Sequence, residues 1–118
     1  MDLINEMLRE NPAKEVELSS SGRIYLQPRT HVVCKDGFTA SIQASAFHYC
    51  DPRTDNAERY VTVEVGFPSE KVEEWMPYID GNGYEPTETV YGYVPVYLVE
   101  QTLMEHGGID YQAMKERR

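Results

Sequence analysis

Hydrophobic and polar positions alternate along residues 38–46, FTASIQASA. Phe38, Ala40, Ile42, Ala44 and Ala46 fall on one side, and Thr39, Ser41, Gln43 and Ser45 on the other. That is the period of a strand. HVVCK at 31–35 precedes it across Asp36-Gly37, a pair suited to a two-residue type I′ hairpin turn because both central residues take positive φ. Such a turn pairs Lys35 with Phe38 and Val33 with Ala40. His31 and Val33 are then expected on the apolar side, and Cys34 beside Thr39 on the polar side. A third strand is expected from Arg59 to Phe67, with Val61, Val63 and Val65 inward and Tyr60, Thr62 and Glu64 outward.

The most consistent pattern runs from Thr89 to Ile109, a strand feeding an amphipathic helix. Thr89, Tyr91 and Tyr93 alternate with Val90, Gly92 and Val94. With Val90 and Val94 on the core, Tyr91 and Tyr93 are expected to face out. Pro95 suits the first helical position, where a missing N–H costs nothing. Val96, Val99 and Leu103 recur at helical spacing, widened by Leu98 and Thr102, which leaves Tyr97, Glu100, Gln101 and Met104 on the outer side. Gly107 stands where a left-handed C-cap is wanted, and Ile109 is placed to close a Schellman-type contact.

The remaining pattern is shorter. Leu3, Ile4, Met7 and Leu8 share a helical face with Asp2 placed to cap it, and Asn11-Pro12 ends that helix. Residues 13–22 read as a connector, and Ile24 and Leu26 as a brief strand before Pro28. Residues 47–58 form a polar loop. Ser69 is placed to cap a helical turn carrying Val72, Trp75 and Met76 before Pro77 stops it. Residues 80–88 are turn-forming throughout, and Asp110 is placed to cap a last short helix with basic residues at its end. The expected fold is a single α+β domain, a mostly antiparallel sheet of about four strands with helices on one face. Residues 1–22 give the N-terminal helix and connector, 23–109 the core, and 110–118 the C-terminal helix.

Charge sharpens this picture. The net charge is −9, yet residues 60–110 hold ten acidic side chains against Lys71 alone. A field of that sign repels phosphate backbones and anionic membranes and attracts basic protein surfaces, and no basic patch marks a nucleic-acid site. The acidic start, MDLINEMLREN, is unlike a signal peptide, so a cytoplasmic setting is expected. Two cysteines, Cys34 and Cys50, are too few for a disulfide scaffold and read as free thiols.

Candidate chemistry is sparse. His48-Tyr49-Cys50-Asp51-Pro52-Arg53 sets a histidine two residues from a cysteine, the material of an activated thiolate. His31, Cys34, His48 and Cys50 are four zinc-competent ligands, but their spacing matches no common zinc pattern. Asp80-Gly81-Asn82-Gly83 lacks the later acidic ligands of a calcium loop, and no phosphate-binding glycine motif is present. No catalytic residue, metal or cofactor is therefore assigned, and His48, Tyr49 and Cys50 are read as packing at a sheet edge. Nine tyrosines are the stronger signal. Tyrosine joins apolar area to a polar tip and is enriched at interfaces. The candidate partner-binding residues are Glu64, Glu70, Glu73, Glu74, Tyr91, Tyr93, Tyr97, Glu100, Gln101 and Glu105.

The segments HYCDPR, VEVGFPSE and VYGYVPVYLVEQTLMEHGGI resemble small acidic proteins encoded by bacteriophages and prophages, over about residues 31–109. The resemblance implies a bacterial host cell and an inhibitor of host defence, of anti-CRISPR or anti-restriction type. Its partner would be the basic surface of a nucleic-acid-handling complex. Two other readings stand beside it: a small metal- or cysteine-dependent protein centred on His48 and Cys50, and a nucleotide-sequestering binder using tyrosines with Arg53 and Arg59.

Overall fold

The N-terminal amphipathic stretch forms α1 (Leu3–Glu10) in a computed structural model that describes residues 2–17, 22, 24–81 and 85–116. Its apolar face buries Ile4, Met7 and Leu8. Asp2 does not cap the helix through its side chain. Its carboxylate instead accepts the Asn5 amide at 2.8 Å. Asn5 is itself buried and pairs reciprocally with the Tyr60 backbone, accepting its N–H at 2.7 Å and donating to its carbonyl at 3.0 Å. This pairing explains a departure from the expected alternation. Tyr60 is drawn inward, and Val61, expected inward, is 55% exposed because the ladder begins only at Thr62.

Residues 14–17, expected in a connector, form β1 (Lys14–Glu17), which pairs antiparallel with β2 (Ile24–Gln27). Val16 is the one apolar residue in KEVE, so the pairing, and not a local pattern, makes this strand. A four-stranded antiparallel sheet follows in the order β3 (Val32–Val33), β4 (Thr39–Gln43), β5 (Thr62–Gly66), β6 (Val90–Pro95). With its helices alongside, this is an α+β fold.

Asp36-Gly37 makes the hairpin turn, but with one more residue than expected. The Gly37 N–H donates to the Cys34 carbonyl at 2.9 Å, and the Cys34 N–H donates to the Phe38 carbonyl at 2.8 Å. Only Gly37, at φ 99°, is left-handed, as in a type I turn closed by a glycine bulge. The register becomes Val32 opposite Ala40 and Val33 opposite Thr39. One residue of slip exchanges the faces: Val32 and Cys34 join Phe38, Ala40 and Ile42 in the core. Val33 turns to the other face, where α3 (Tyr111–Glu116) packs against β3. His31 is half-buried.

A second slip lies between β5 and β6. Val63 faces Val94 and Val65 faces Tyr91, so the extra residue is on β6, at Gly92-Tyr93. Tyr93 takes φ 56° to accommodate it. Parity reverses across such a bulge. Tyr91, expected to face out, is therefore fully buried, while Tyr93 is 41% exposed.

The core centres on Trp75. Its ring meets Phe38 edge-on at 6.2 Å and Tyr91 at 6.0 Å, and its Nε1 donates to Thr102 Oγ1 at 3.1 Å. It sits on a 3₁₀ helix, Glu73–Tyr78, that begins after Val72 and runs through Pro77. Ser69 does not cap it. Its backbone N–H and its Oγ instead bond the Thr39 backbone, at 2.8 Å and 3.0 Å.

Helix α2 (Val96–Glu105) starts one residue later than expected, with Pro95 still in the strand, and buries Val99, Thr102 and Leu103. Its end follows the sequence closely. The Gly108 N–H donates to Leu103 O at 2.9 Å and the Gly107 N–H to Met104 O at 3.1 Å, a Schellman pair. Asp110 caps α3 through the Ala113 N–H at 3.0 Å. Met114 of α3 and the apolar face of α1 join the same buried cluster as the sheet. Among the described residues, no helix is long and apolar enough to cross a membrane.

Candidate functional site

After β4 the chain leaves the sheet and returns at Asp51, which bridges Thr62. The excursion is held by its own polar groups. Ser45 Oγ lies 2.7 Å from His48 Nδ1 and accepts the Phe47 N–H at 3.0 Å, while the Asp55 carboxylate accepts the Ala46 N–H at 3.0 Å. Tyr49 is thereby set over the outer face of the sheet. Its N–H donates to the Glu64 carboxylate at 3.0 Å, and its carbonyl accepts the Tyr93 N–H at 2.9 Å. The left-handed Tyr93 turns that N–H toward Tyr49. Gly92 allows the approach, since a Cβ on it would lie 3.0 Å from the Tyr49 Cβ. The two rings sit 5.9 Å apart, and the Arg53 guanidinium lies 5.4 Å from the Tyr49 ring centre, within cation–π range.

This aromatic pair is part of a wider exposed strip. Phe47 is 76% exposed on the same excursion. The Val61 carbonyl accepts the Val96 N–H at 3.1 Å, which sets exposed Val61 against the first turn of α2, where Tyr97 is 71% exposed. Gln101, Met104 and Glu105 continue the exposed side of α2, with Glu100 half-buried among them. Gln101 donates to the Glu105 carboxylate at 3.4 Å.

The other acidic candidates fall into two roles. Glu64 is spent inside the scaffold as the acceptor for Tyr49. Glu73 and Glu74 are exposed on the 3₁₀ helix, with Glu73 3.2 Å from Lys71. Glu70 lies 3.5 Å from His106 Nε2, whose Nδ1 is 2.7 Å from the Asp36 carboxylate. The His106 ring stacks on Phe38 at 4.1 Å and 9°. Asp36 is held below the usual carboxylate range, first by the Phe38 backbone N–H and then by His106. This node ties the end of α2 to the hairpin.

The His48–Cys50 constellation does not assemble an activated thiol. Cys50 is fully buried, and its Sγ donates to the Ser45 and Pro52 carbonyls at 3.2 Å and 3.4 Å. Burial pushes the Cys50 thiol up and the His48 imidazolium down, the reverse of a thiolate–imidazolium pair. Cys34 is likewise buried and pushed up to about 11, first by desolvation and then by Asp36. Among the described residues, no three His, Cys, Asp or Glu side chains gather as a metal-binding set. Asn82 and Gly83 of the calcium-like turn lie outside them.

Of the ten candidate residues, Tyr93, Tyr97, Gln101 and Glu105 are exposed along one strip, and Glu73 and Glu74 are exposed separately on the 3₁₀ helix, whose Trp75 packs against the buried side of α2. Tyr91 is excluded by burial. Tyr49 and Val61 belong to the strip and were not anticipated in it, and Phe47 is exposed two residues before Tyr49. The one local signal was Gly92 between two tyrosines, a glycine inside a strand pattern, which often marks a bulge or a close backbone approach. No protein-family model matches this chain, nor does a curated protein or a solved structure.

Proposed function

We propose that this chain is a non-enzymatic protein-binding module that presents an aromatic strip set in acidic surroundings to a basic partner. The observation that carries the reading is the outer side of α2. Tyr97 and Met104 stand exposed there beside Glu105, in a stretch of chain with a single basic residue. Exposed aromatic and methionine side chains of this kind are favoured at interface centres. The uncompensated acids supply steering toward Lys and Arg. Following the phage-protein resemblance, the partner is a nucleic-acid-handling component of host defence, and the acidic face competes for the surface its nucleic acid would use.

The test is affinity capture from the bacterial host, then association and dissociation rates across a salt series. Association is expected to slow as salt rises, and Glu73→Lys with Glu74→Lys to slow it further without lowering the melting temperature. Tyr97→Ala should act mainly on dissociation, as loss of an aromatic anchor does. The captured partner's own nucleic acid should compete with the chain. A salt-independent association rate, unchanged by the charge reversal, would reduce the acidic face to a solubilising surface.

A further inference from the structure

On the side of the molecule where α1 meets the 54–60 segment, a cleft of about 550 Å³ opens between Asn5, Leu8, Arg9, Pro12, Ala57 and Tyr60, with Arg29 also lining it. That volume is in the range of small-molecule sites, roughly 300–1,000 Å³. Arg29 is only 6% exposed. Its Nη1 donates to Ala44 O at 2.8 Å and its Nε to Leu8 O at 3.4 Å, both neutral carbonyls. Its backbone is fixed by Gln43, which accepts the Arg29 N–H and donates to the Arg29 carbonyl, both at 3.0 Å. Among the described residues no carboxylate forms an ion pair with Arg29, and its second terminal nitrogen, Nη2, has no acceptor. Among the described residues every fully buried side-chain nitrogen has a partner, so Nη2 is the part of this otherwise enclosed guanidinium that opens to solvent, as its place in the cleft lining requires.

The surroundings repeat the same chemistry. A shallower cleft of about 700 Å³ adjoins the first, sharing Arg9, Ala57 and Glu58 and adding Arg59 and Asp2. Three arginines of a strongly acidic chain thus converge on one side, against Glu58 and Asp2 at the rim. Asp55 is near enough for its charge to be felt at Arg29, but its carboxylate is engaged by the Ala46 N–H. The apolar wall of Leu8, Pro12 and Ala57, with the buried Tyr60, suits a ligand body.

We infer that this cleft binds a small organic anion, its phosphate or carboxylate on Arg29 Nη2 at the floor and its body against the apolar wall, with Arg9 closing the rim. The two N–H groups of Nη2, charge-assisted donors, suit either head group. This site shares no residue with the proposed protein-binding strip and does not depend on that reading.

The test is amide and arginine side-chain NMR titration of the full chain with three probes at millimolar concentration: AMP, inorganic phosphate and benzoate. Sodium chloride at matched ionic strength is the control. Saturable shifts at Asn5, Ala57, Tyr60 and Arg29 Nε–H are expected for at least one probe and not for chloride. AMP and phosphate competing for one site assigns a phosphate head group, and benzoate alone assigns a carboxylate. Arg9→Gln, on the exposed side of α1, should weaken binding by about tenfold, the weight of one charge-assisted hydrogen bond, with an unchanged melting temperature. Arg29→Lys keeps the charge but loses the fork and should weaken it further. If that variant does not fold, the Arg9→Gln titration decides alone. Unsaturable shifts for every probe, shifts matched by chloride, or affinity unaffected by Arg9→Gln would each overturn the inference and leave Arg29 as a clasp between α1 and β4.

Discussion

The sheet takes up an extra residue in two places, by different means. In the β3–β4 hairpin the residue is Gly37, for which a left-handed backbone carries no side-chain penalty. In β6 the left-handed residue is Tyr93, where an L side chain costs roughly 1–2 kcal/mol. The hairpin is secured within a few residues by the Cys34 carbonyl and the Phe38 carbonyl. The β6 bulge is secured from the other half of the chain, by the Tyr49 carbonyl under the Tyr93 N–H and the Tyr49 ring beside Gly92. The hairpin slip puts Cys34 in the core, and the β6 slip sends Tyr91 into the core and leaves Tyr93 at the surface. A turn can thus be written in adjacent residues, whereas a bulge that builds a surface can depend on a contact no local pattern contains.

The largest effect is expected from replacing each of the two tyrosines with a charge. Tyr91→Asp leaves a carboxylate in a fully buried position, a loss of about 3–5 kcal/mol that should unfold the protein at moderate temperature. Tyr93→Asp should melt close to the parent. Equal melting curves for the two variants would mean β6 runs without its bulge.

Gly92→Val attacks the approach of Tyr49. With a Cβ 3.0 Å from the Tyr49 Cβ, the excursion must move, at a cost of about 1–3 kcal/mol. Urea unfolding measures the loss, and the Tyr49 and Tyr93 amide resonances should shift with it. A neutral substitution would show that Tyr49 does not hold the bulge.

A smaller contrast sharpens the difference between the two left-handed residues. Gly37→Ala should destabilise by about 1 kcal/mol. Tyr93→Gly relieves a similar strain but gives up the ring contact with Tyr49, worth about 0.5–1.5 kcal/mol, so its net effect should lie near zero. Urea midpoints that fall together for both variants would remove the distinction.

Smallest is the acid dependence of the hairpin. The Asp36 pKa is lowered in the folded protein, so its contribution is present above the ordinary value of 3.8 and is lost as pH falls through the lower, folded value. Asp36→Asn should therefore flatten the fall in melting temperature on the acid side of pH 4 and leave the curve near neutrality parallel to the parent. An unchanged acid limb would show that the Phe38 N–H and His106 do not favour the charged form.

Much of the fold was legible where neighbouring residues carry the instruction. The Schellman end of α2 at Gly107 and Gly108, the Asp110 cap, the alternation of β4 and the buried stripe of Val99 and Leu103 each follow from residues within a turn or two. What escaped the sequence depends on partners far along the chain. Asn5 reaches Tyr60 and draws it inward, β1 exists through pairing with β2, and Tyr49 sustains the bulge that reassigns Tyr91. The candidate strip divides the same way. Tyr97, Gln101 and Glu105 were readable from helical period, but Tyr49 and Val61 join the strip only through tertiary folding. Arg29, one base in Pro28-Arg29-Thr30, carries no local sign that Ala44 and Leu8 will enclose it.

The segment after α2 has a consequence for how this protein meets others. The Lys35 N–H donates to Gly108 O at 3.0 Å, the Asp110 N–H donates to Val33 O at 2.7 Å, and Cys34 bridges Ile109. The free side of β3 is thus already occupied by the protein's own backbone. On the opposite flank, Ile79 bridges Tyr91 and the Asp80 N–H donates to Val90 O at 2.9 Å. The four-stranded sheet, with both margins taken up, offers little template for strand addition, whether by a partner's extended peptide or by a second copy growing toward a fibril. On this sheet recognition is left to side chains, which makes substitution of single residues on the aromatic strip a direct way to separate binding from folding.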